Sequence, residues 1–241
     1  ACGCVNHSIV VFLAPQRACL NMSLTSLVVR ELGLCEYETT MVSMQTFTNR
    51  REKNTQDEIW LLQHPPVFTR GVSCRQLPNR LLPSTMKVVD SDRGGQITYH
   101  GPGQLVVYLL LDLRRRQLGV RSFVSLLETV IIDVLGQHGL EAGRRPEAPG
   151  VYVGGAKIAA LGLRVRSGCC YHGMSLNIDL DLSPFSWIDP CGYAGLAVTS
   201  VVEQGVTTSI ESIQLSVLRE LQSGLDFPTM IKSKEVPRWV A

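Results

Sequence analysis

Between Glu36 and Phe47 the apolar side chains of Tyr37, Met41, Met44 and Phe47 recur at helical spacing, and Asn49 to Gln56 is then wholly polar. This pattern predicts a helix followed by a loop. Glu58 to Leu62 predicts a short strand stopped by Pro65 and Pro66, and Lys87 to Val89 predicts another. Leu105 to Leu111 is almost continuously apolar, with branched and aromatic members, as a strand buried on both faces should be. Ser122 is the expected N-cap of a helix whose apolar face is Phe123, Leu126, Leu127, Val130, Ile131 and Val134, with Gly139 as its stop. Val151 to Val153, Lys157 to Val165 and Tyr171 to Ile178 read as strands. They are separated by Gly154-Gly155 and Ser167-Gly168, which is hairpin punctuation. Thr208 and Glu211 form a candidate capping box for a last helix, with Ile210, Ile213, Val217, Leu218 and Leu221 on one face. The order of elements implies a single α/β domain with a mixed sheet flanked by helices.

The first residues do not join this pattern. The chain opens on Ala1, Cys2 to Leu20 shows no clear period, and too few basic residues are present for a transit peptide. Residues 1–30 are therefore expected to be an extension outside the fold, and 31–241 to be the domain.

Composition narrows the function classes. Of the 241 residues 45% are hydrophobic, enough for a sizeable core, and a formal net charge of +2 gives no field for holding nucleic acid. Two basic clusters, Arg114-Arg115-Arg116 and Arg144-Arg145, suit either docking of an acidic carrier protein or ordinary solvated loops. The eight cysteines are irregularly spaced and Cys169 adjoins Cys170, which argues for a reducing compartment rather than a disulfide framework. The longest apolar stretch, Leu105 to Leu113, contains Tyr108 and Asp112 and falls short of the roughly 18 residues of a membrane span, so a soluble protein is expected.

Four clusters carry candidate chemistry. In Arg93-Gly94-Gly95-Gln96-Ile97-Thr98-Tyr99-His100-Gly101-Pro102-Gly103-Gln104, four glycines let backbone approach a ligand while Arg93, Tyr99 and His100 offer directed polar contacts. No nucleotide-binding glycine motif is present. In Gly154-Gly155-Ala156-Lys157-Ile158-Ala159-Ala160-Leu161-Gly162 a lone lysine stands among small and apolar residues, either snorkelling to water or holding a task. In Tyr171-His172-Gly173-Met174-Ser175-Leu176-Asn177-Ile178-Asp179 a glycine permits close approach to a strand. His172 suits a structural role as well as a functional one. In Ser183-Pro184-Phe185-Ser186-Trp187-Ile188-Asp189-Pro190-Cys191-Gly192-Tyr193 a cysteine occupies a loop, where an exposed thiol is either accidental or useful.

Together with Trp60-Leu61-Leu62 and His64-Pro65-Pro66-Val67-Phe68-Thr69, these clusters resemble the octanoyltransferase family of lipoate biosynthesis, whose fold is similar to that of the biotin and lipoate protein ligases. The resemblance runs from about Leu32 to the C-terminal helix. It implies transfer of an octanoyl group from octanoyl-acyl carrier protein to the lysine of lipoyl domains, namely those of 2-oxo acid dehydrogenase E2 subunits and of the glycine cleavage H protein. It implies no cofactor, no nucleic acid and no membrane partner, and a cytoplasmic protein, mitochondrial in a eukaryote. It carries the acyl-thioester to Cys191 and its partner lysine to Lys157. The acyl site falls on Arg93, Gly94, Gly95, Gln96, Ile97, Thr98, Tyr99 and His100, on Ala160, Leu161 and Gly162, and on Gly173, Met174 and Ser175.

The chemistry agrees with these residue types. A free thiol has a pKa of about 8.5, and a neighbouring ammonium lowers it toward reactivity. The proton of the incoming lysine goes either to a neutral Lys157 or to the departing thiolate. Two alternatives stay open: a lipoate or biotin ligase of the same fold, and a non-catalytic carrier-binding or metal-binding protein using Cys2, Cys4, His7 or the Cys169-Cys170 pair. The strands bearing Lys157 and His172 are expected to lie side by side, with the Arg93 to Gly103 loop over their ends.

Overall fold

A computed structural model describes residues 26–74, 82–146, 148–188 and 196–233. The strands are β1 (Ser26–Leu34), β2 (Asp57–Gln63), β3 (Val67–Arg70), β4 (Val88–Asp90), β5 (Ile97–His100), β6 (Gln104–Asp112), β7 (Ala142–Arg144), β8 (Val151–Val153), β9 (Ala156–Arg166), β10 (Cys169–Asn177) and β11 (Thr229–Ser233). The helices are α1 (Tyr37–Asn49), α2 (Val120–Gln137) and α3 (Ile210–Gly224), with a short 3-10 turn at Ser183–Trp187. Eight strands form one mixed sheet in the order β11-β1-β2-β6-β10-β9-β8-β7, and β4-β3-β5 form a small second sheet.

The large sheet is covered on both faces, and β6 shows why its sequence is unbroken. Leu105, Val107, Leu109 and Leu111 face a core with Phe123, Leu127 and Ile131 of α2 and Ile213, Val217 and Leu221 of α3. Val106, Tyr108 and Leu110 alternate to the other face, where they meet Trp60, Leu62 and Met44 and Phe47 of α1. The expected α/β domain is thus present, and its strands include the hairpin of β9 and β10, paired antiparallel with Gly173 opposite Gly162. Among the described residues no helix is long and apolar enough to cross a membrane.

Several boundaries differ from expectation. Ser26 to Arg30 belong to β1, which pairs in parallel with β2 and β11, so the fold begins before residue 31. Residues 1–25 lie outside the described residues. The N-cap of α2 is Gly119, and Ser122 lies inside the first turn. The N-cap of α3 is Ser209, whose side chain accepts from Ser212 N, rather than Thr208. The glycine-rich stretch also contains a strand, β5, paired antiparallel with β3.

The basic clusters are largely used internally. Arg116 stacks over Phe227 at 3.4 Å and donates to Asp57 Oδ2 at 3.1 Å. Arg51 and Arg115 converge on the same buried Asp57. Arg144 donates to Glu128 Oε2 at 3.0 Å, and Arg145 lies over Tyr152. Arg114 remains exposed.

Candidate functional site

The face of the sheet away from α2 and α3 carries a cavity that opens to solvent, with about 780 Å³ of empty space when that open part is included. Its floor is made of small residues on adjacent strands, Ala160 and Gly162 of β9 and Gly173 and Ser175 of β10, in cross-strand register. Its roof comes from Tyr37 of α1 and from Arg93, Gly95, Gln96, Ile97, Thr98 and His100. Absent side chains hold these layers close. A Cβ on Gly162 would sit 3.1 Å from Gly94 O, and one on Gly71 2.3 Å from Gly95 O. Gly94 N donates to Leu163 O at 2.9 Å, which ties the roof to β9.

Lys157 lies at one end. Its N–H and C=O are both held by one neighbouring segment, since Lys157 N donates to Ala197 O and Thr199 N donates to Lys157 O. Its buried Nζ donates to Pro149 O at 2.8 Å and lies 5.7 Å from the Tyr152 ring. Space for the lysine depends on Gly150, where a Cβ would fall 2.6 Å from Lys157 Cε. Gly150 N in turn donates to Glu128 Oε1 at 3.0 Å. Neither Glu128 nor Gly150 was singled out by the sequence reading, because each acts through a turn distant from the motifs.

The roof is rich in buried rings. Tyr37 stacks on His100 at 5.7 Å and meets His64 edge-on at 5.1 Å. His64 Nε2 and the Tyr108 hydroxyl are 2.7 Å apart. Burial lowers the pKa of His64 to about 4. It pushes His100 well below the usual histidine range, with repulsion from His64 adding to it, and it also lowers His172. All three rings are therefore neutral at pH 7. Arg93 is buried too, and its guanidinium donates to the neutral oxygens Thr69 O, Thr69 Oγ1 and Gly94 O. Burial lowers its pKa from the ordinary value without removing its charge.

His172 occupies the other end. Its Nε2 lies 2.9 Å from Asp92 Oδ1, and Asp92 also accepts from Tyr171 and from Gln45. The hydrogen bonds from His172, Tyr171 and Gln45 outweigh the burial of Asp92 and hold its carboxyl well below the usual carboxylate range.

The cavity thus brings together Lys157, Ala160, Leu161, Gly162, Gly173, Met174 and Ser175 with Arg93, Gly95, Gln96, Ile97, Thr98 and His100. Two residues of the motif are placed differently. Strand alternation turns Tyr99 away from Thr98 and His100 to pack on Phe68 at 5.3 Å and Phe185 at 5.7 Å. Gly94 faces β9. Cys191 lies outside the described residues. Sequence reasoning missed Tyr37, Val106, Tyr108 and Val198 as lining residues, and it left Gln104, Asn177 and Phe185, which stand within its candidate clusters, without a place in the site. Tyr37 had read as ordinary helix core, and Tyr108 as strand core.

Among the described residues no group of three or more histidine, cysteine or acidic side chains is arranged to hold a metal ion. The chain matches the model of the lipoyl protein ligase A/B catalytic domain over residues 36–222. It is 50% identical over 198 residues to the octanoyltransferase of Pseudomonas fluorescens (strain SBW25), covering 82% of this chain and 92% of that protein. It is 51% identical over 201 residues to the octanoyltransferase of Laribacter hongkongensis, covering 83% and 96%. Among solved structures it is similar to a chain of an archaeal lipoylation system, a bipartite lipoate protein ligase and its E2 lipoyl domain from Thermoplasma acidophilum. There the TM-score is 0.71 at 14% identity, covering 89% of each chain. A lipoate-protein ligase A bound with ATP gives a TM-score of 0.69 at 15% identity, covering 89% of this chain and 90% of that one. At such identities these two likenesses speak for the fold alone.

Proposed function

The chain belongs to the lipoyl protein ligase A/B catalytic domain family, and from that premise we propose that it is an octanoyltransferase of protein lipoylation working through an acyl-thioester on Cys191. The observation that carries the reading is a buried lysine, Lys157, at the end of a cavity floored by small residues, in a chain about half identical to octanoyltransferases.

In the proposed reaction the Cys191 thiolate attacks the carbonyl carbon of octanoyl-acyl carrier protein. The carbon–sulfur bond to the carrier breaks, the carrier leaves as a thiolate, and the octanoyl group stays on Cys191. The neutral ε-amine of a lipoyl-domain lysine then attacks the same carbon, an amide forms, the carbon–sulfur bond to Cys191 breaks, and the departing thiolate takes the proton that the amine gives up. Lipoyl domains of 2-oxo acid dehydrogenase E2 subunits and of the glycine cleavage H protein are the proposed acceptors. Thioester to amide runs downhill, so the reaction needs no nucleotide. Lys157, as an ammonium, stabilises the thiolate. Pro149 O and the backbone grip from Ala197 and Thr199 keep that amine from swinging away.

Transfer from octanoyl-acyl carrier protein to a lipoyl domain should proceed without ATP. In Lys157→Ala, iodoacetamide labelling of the Cys191 peptide should titrate at a pH higher by roughly one to two. The peptide can be told from others by mass, and burial raises the thiols of Cys35, Cys169 and Cys170. An unmoved thiol titration with lost activity would remove Lys157 from thiol activation. A requirement for ATP would replace the transferase reading with that of an adenylating ligase.

A further inference from the structure

Glu128 lies on the core side of α2 beside Leu127 and is buried, which a carboxylate tolerates only when it is paired. Its two oxygens have different partners. Oε2 accepts from Arg144 Nε at 3.0 Å, and Arg144 is itself tied to α2 through Ser125 O and Thr129 Oγ1. Oε1 reaches inward and accepts from the buried Gly150 N at 3.0 Å. The ion pair alone ties β7 to α2, so the inward bond has another purpose.

The Gly150 N–H belongs to the same peptide group as the carbonyl of Pro149, which accepts from Lys157 Nζ at 2.8 Å. The peptide is trans, so its N–H and C=O point in opposite directions, one to the carboxylate and the other to the lysine amine. Carboxylate, peptide and ammonium form one chain of hydrogen bonds in which each member polarises the next. The two charges are separated by no more than about 8 Å. The local sequence leaves this peptide free to turn. Residue 150 must be glycine, because a Cβ there would fall 2.6 Å from Lys157 Cε and 2.7 Å from Ala159 O. Glycine accepts either sign of φ and Pro149 fixes only its own φ, so the peptide between them turns over at little steric cost. Turned over, it would point its N–H at the ammonium in place of the carbonyl.

We propose that Glu128 is a positioning residue for the thiol–amine pair: it pins the Pro149–Gly150 peptide so that Pro149 O holds the Lys157 ammonium at the end of the cavity, and Arg144 orients the carboxylate that does so. The inference rests on the transferase reading above, because Glu128 acts on the Cys191 thiol only through Lys157.

The test is the pH dependence of iodoacetamide labelling of the Cys191 peptide, together with kcat/KM for octanoyl transfer. It compares the full chain with Glu128→Leu, Glu128→Gln, Lys157→Ala and the double variant Glu128→Gln/Lys157→Ala. Leucine strands the Gly150 N–H, whereas glutamine keeps the shape of the side chain and is the variant that folds if leucine does not. Both substitutions should move labelling to higher pH, leucine further than glutamine, and glutamine by roughly 0.5. In Glu128→Gln kcat/KM at pH 7 should fall about threefold with the thiolate fraction and recover as the pH is raised, which a loss of packing alone would not produce. In the Lys157→Ala background Glu128→Gln should add no further shift, because the group through which it acts is gone. Labelling of Glu128→Gln that titrates as in the wild type, or a further shift in the double variant, overturns the positioning role and leaves the transferase reading in place. Labelling unmoved in Lys157→Ala overturns both that role and the thiol–amine pair.

Discussion

His64, His100 and His172 are buried in one ring cluster with Tyr37 and Tyr108, and neutrality is what each contributes to stability. For His64 the folded pKa of about 4 lies below the ordinary value of 6.5, so protons favour the unfolded chain. Stability carried by the neutral ring is whole above about pH 6.5 and is lost as pH falls toward 4, to an extent of about 3 kcal/mol for His64. His100 and His172 act in the same direction. Asp92 keeps its contribution over this window, because its unfolded counterpart begins to bind protons only near pH 4. The urea midpoint should therefore fall from pH 7 to pH 5, and His64→Gln should show a shallower fall. A slope identical to that of the wild type would mean that the ring does not titrate as its burial requires.

At the scale of elements, two facing glycines of the β9–β10 hairpin serve different ends. A Cβ on Gly173 would lie 2.0 Å from Val107 O, so it would pry β10 from β6 in the middle of the large sheet. One on Gly162 would meet Gly94 O at 3.1 Å and Arg93 Cδ at 3.2 Å, and would lift the roof of the cavity. Gly173→Ala should cost about 3 kcal/mol of stability in urea unfolding. Gly162→Ala should cost about 1 kcal/mol or less, while lowering transfer of short and long acyl chains alike. The reverse order of stabilities would contradict this division. The hairpin itself was legible in the sequence, since Gly154-Gly155 and Ser167-Gly168 bracket apolar runs, and α2 and α3 declared themselves by helical spacing. β3 and β5 did not, because four-residue strands are too short for a period to show and β5 is embedded among glycines. Ser122 and Thr208 placed the caps three residues and one residue from Gly119 and Ser209, since a composition signal does not say which of several neighbouring residues leaves helical geometry first.

The whole molecule divides its sheet by face: one side is committed to α2 and α3, and the other holds α1, the small sheet and the cavity. The residues that carried the family resemblance are mostly on the second side, which is why the cavity lining was so largely legible. Tyr37, Tyr108 and Asn177 were not, because apolar or strand patterning already accounted for them and only the packing of distant elements turns them into one wall. The arginine clusters suited docking or solvated loops, yet Arg115, Arg116 and Arg144 are engaged by Asp57, Phe227 and Glu128, a distinction no count of charges makes. The cavity, its lysine and the thiol of Cys191 make a single claim about chemistry. The most direct test is a mass spectrum of the full chain mixed with octanoyl-acyl carrier protein in the absence of acceptor and ATP. The account predicts one added octanoyl group, mapped to the peptide containing Cys191, removed by hydroxylamine and by added lipoyl domain, and absent from Cys191→Ser. Undiminished transfer by Cys191→Ser, or turnover with no such adduct and only in the presence of ATP, would contradict it.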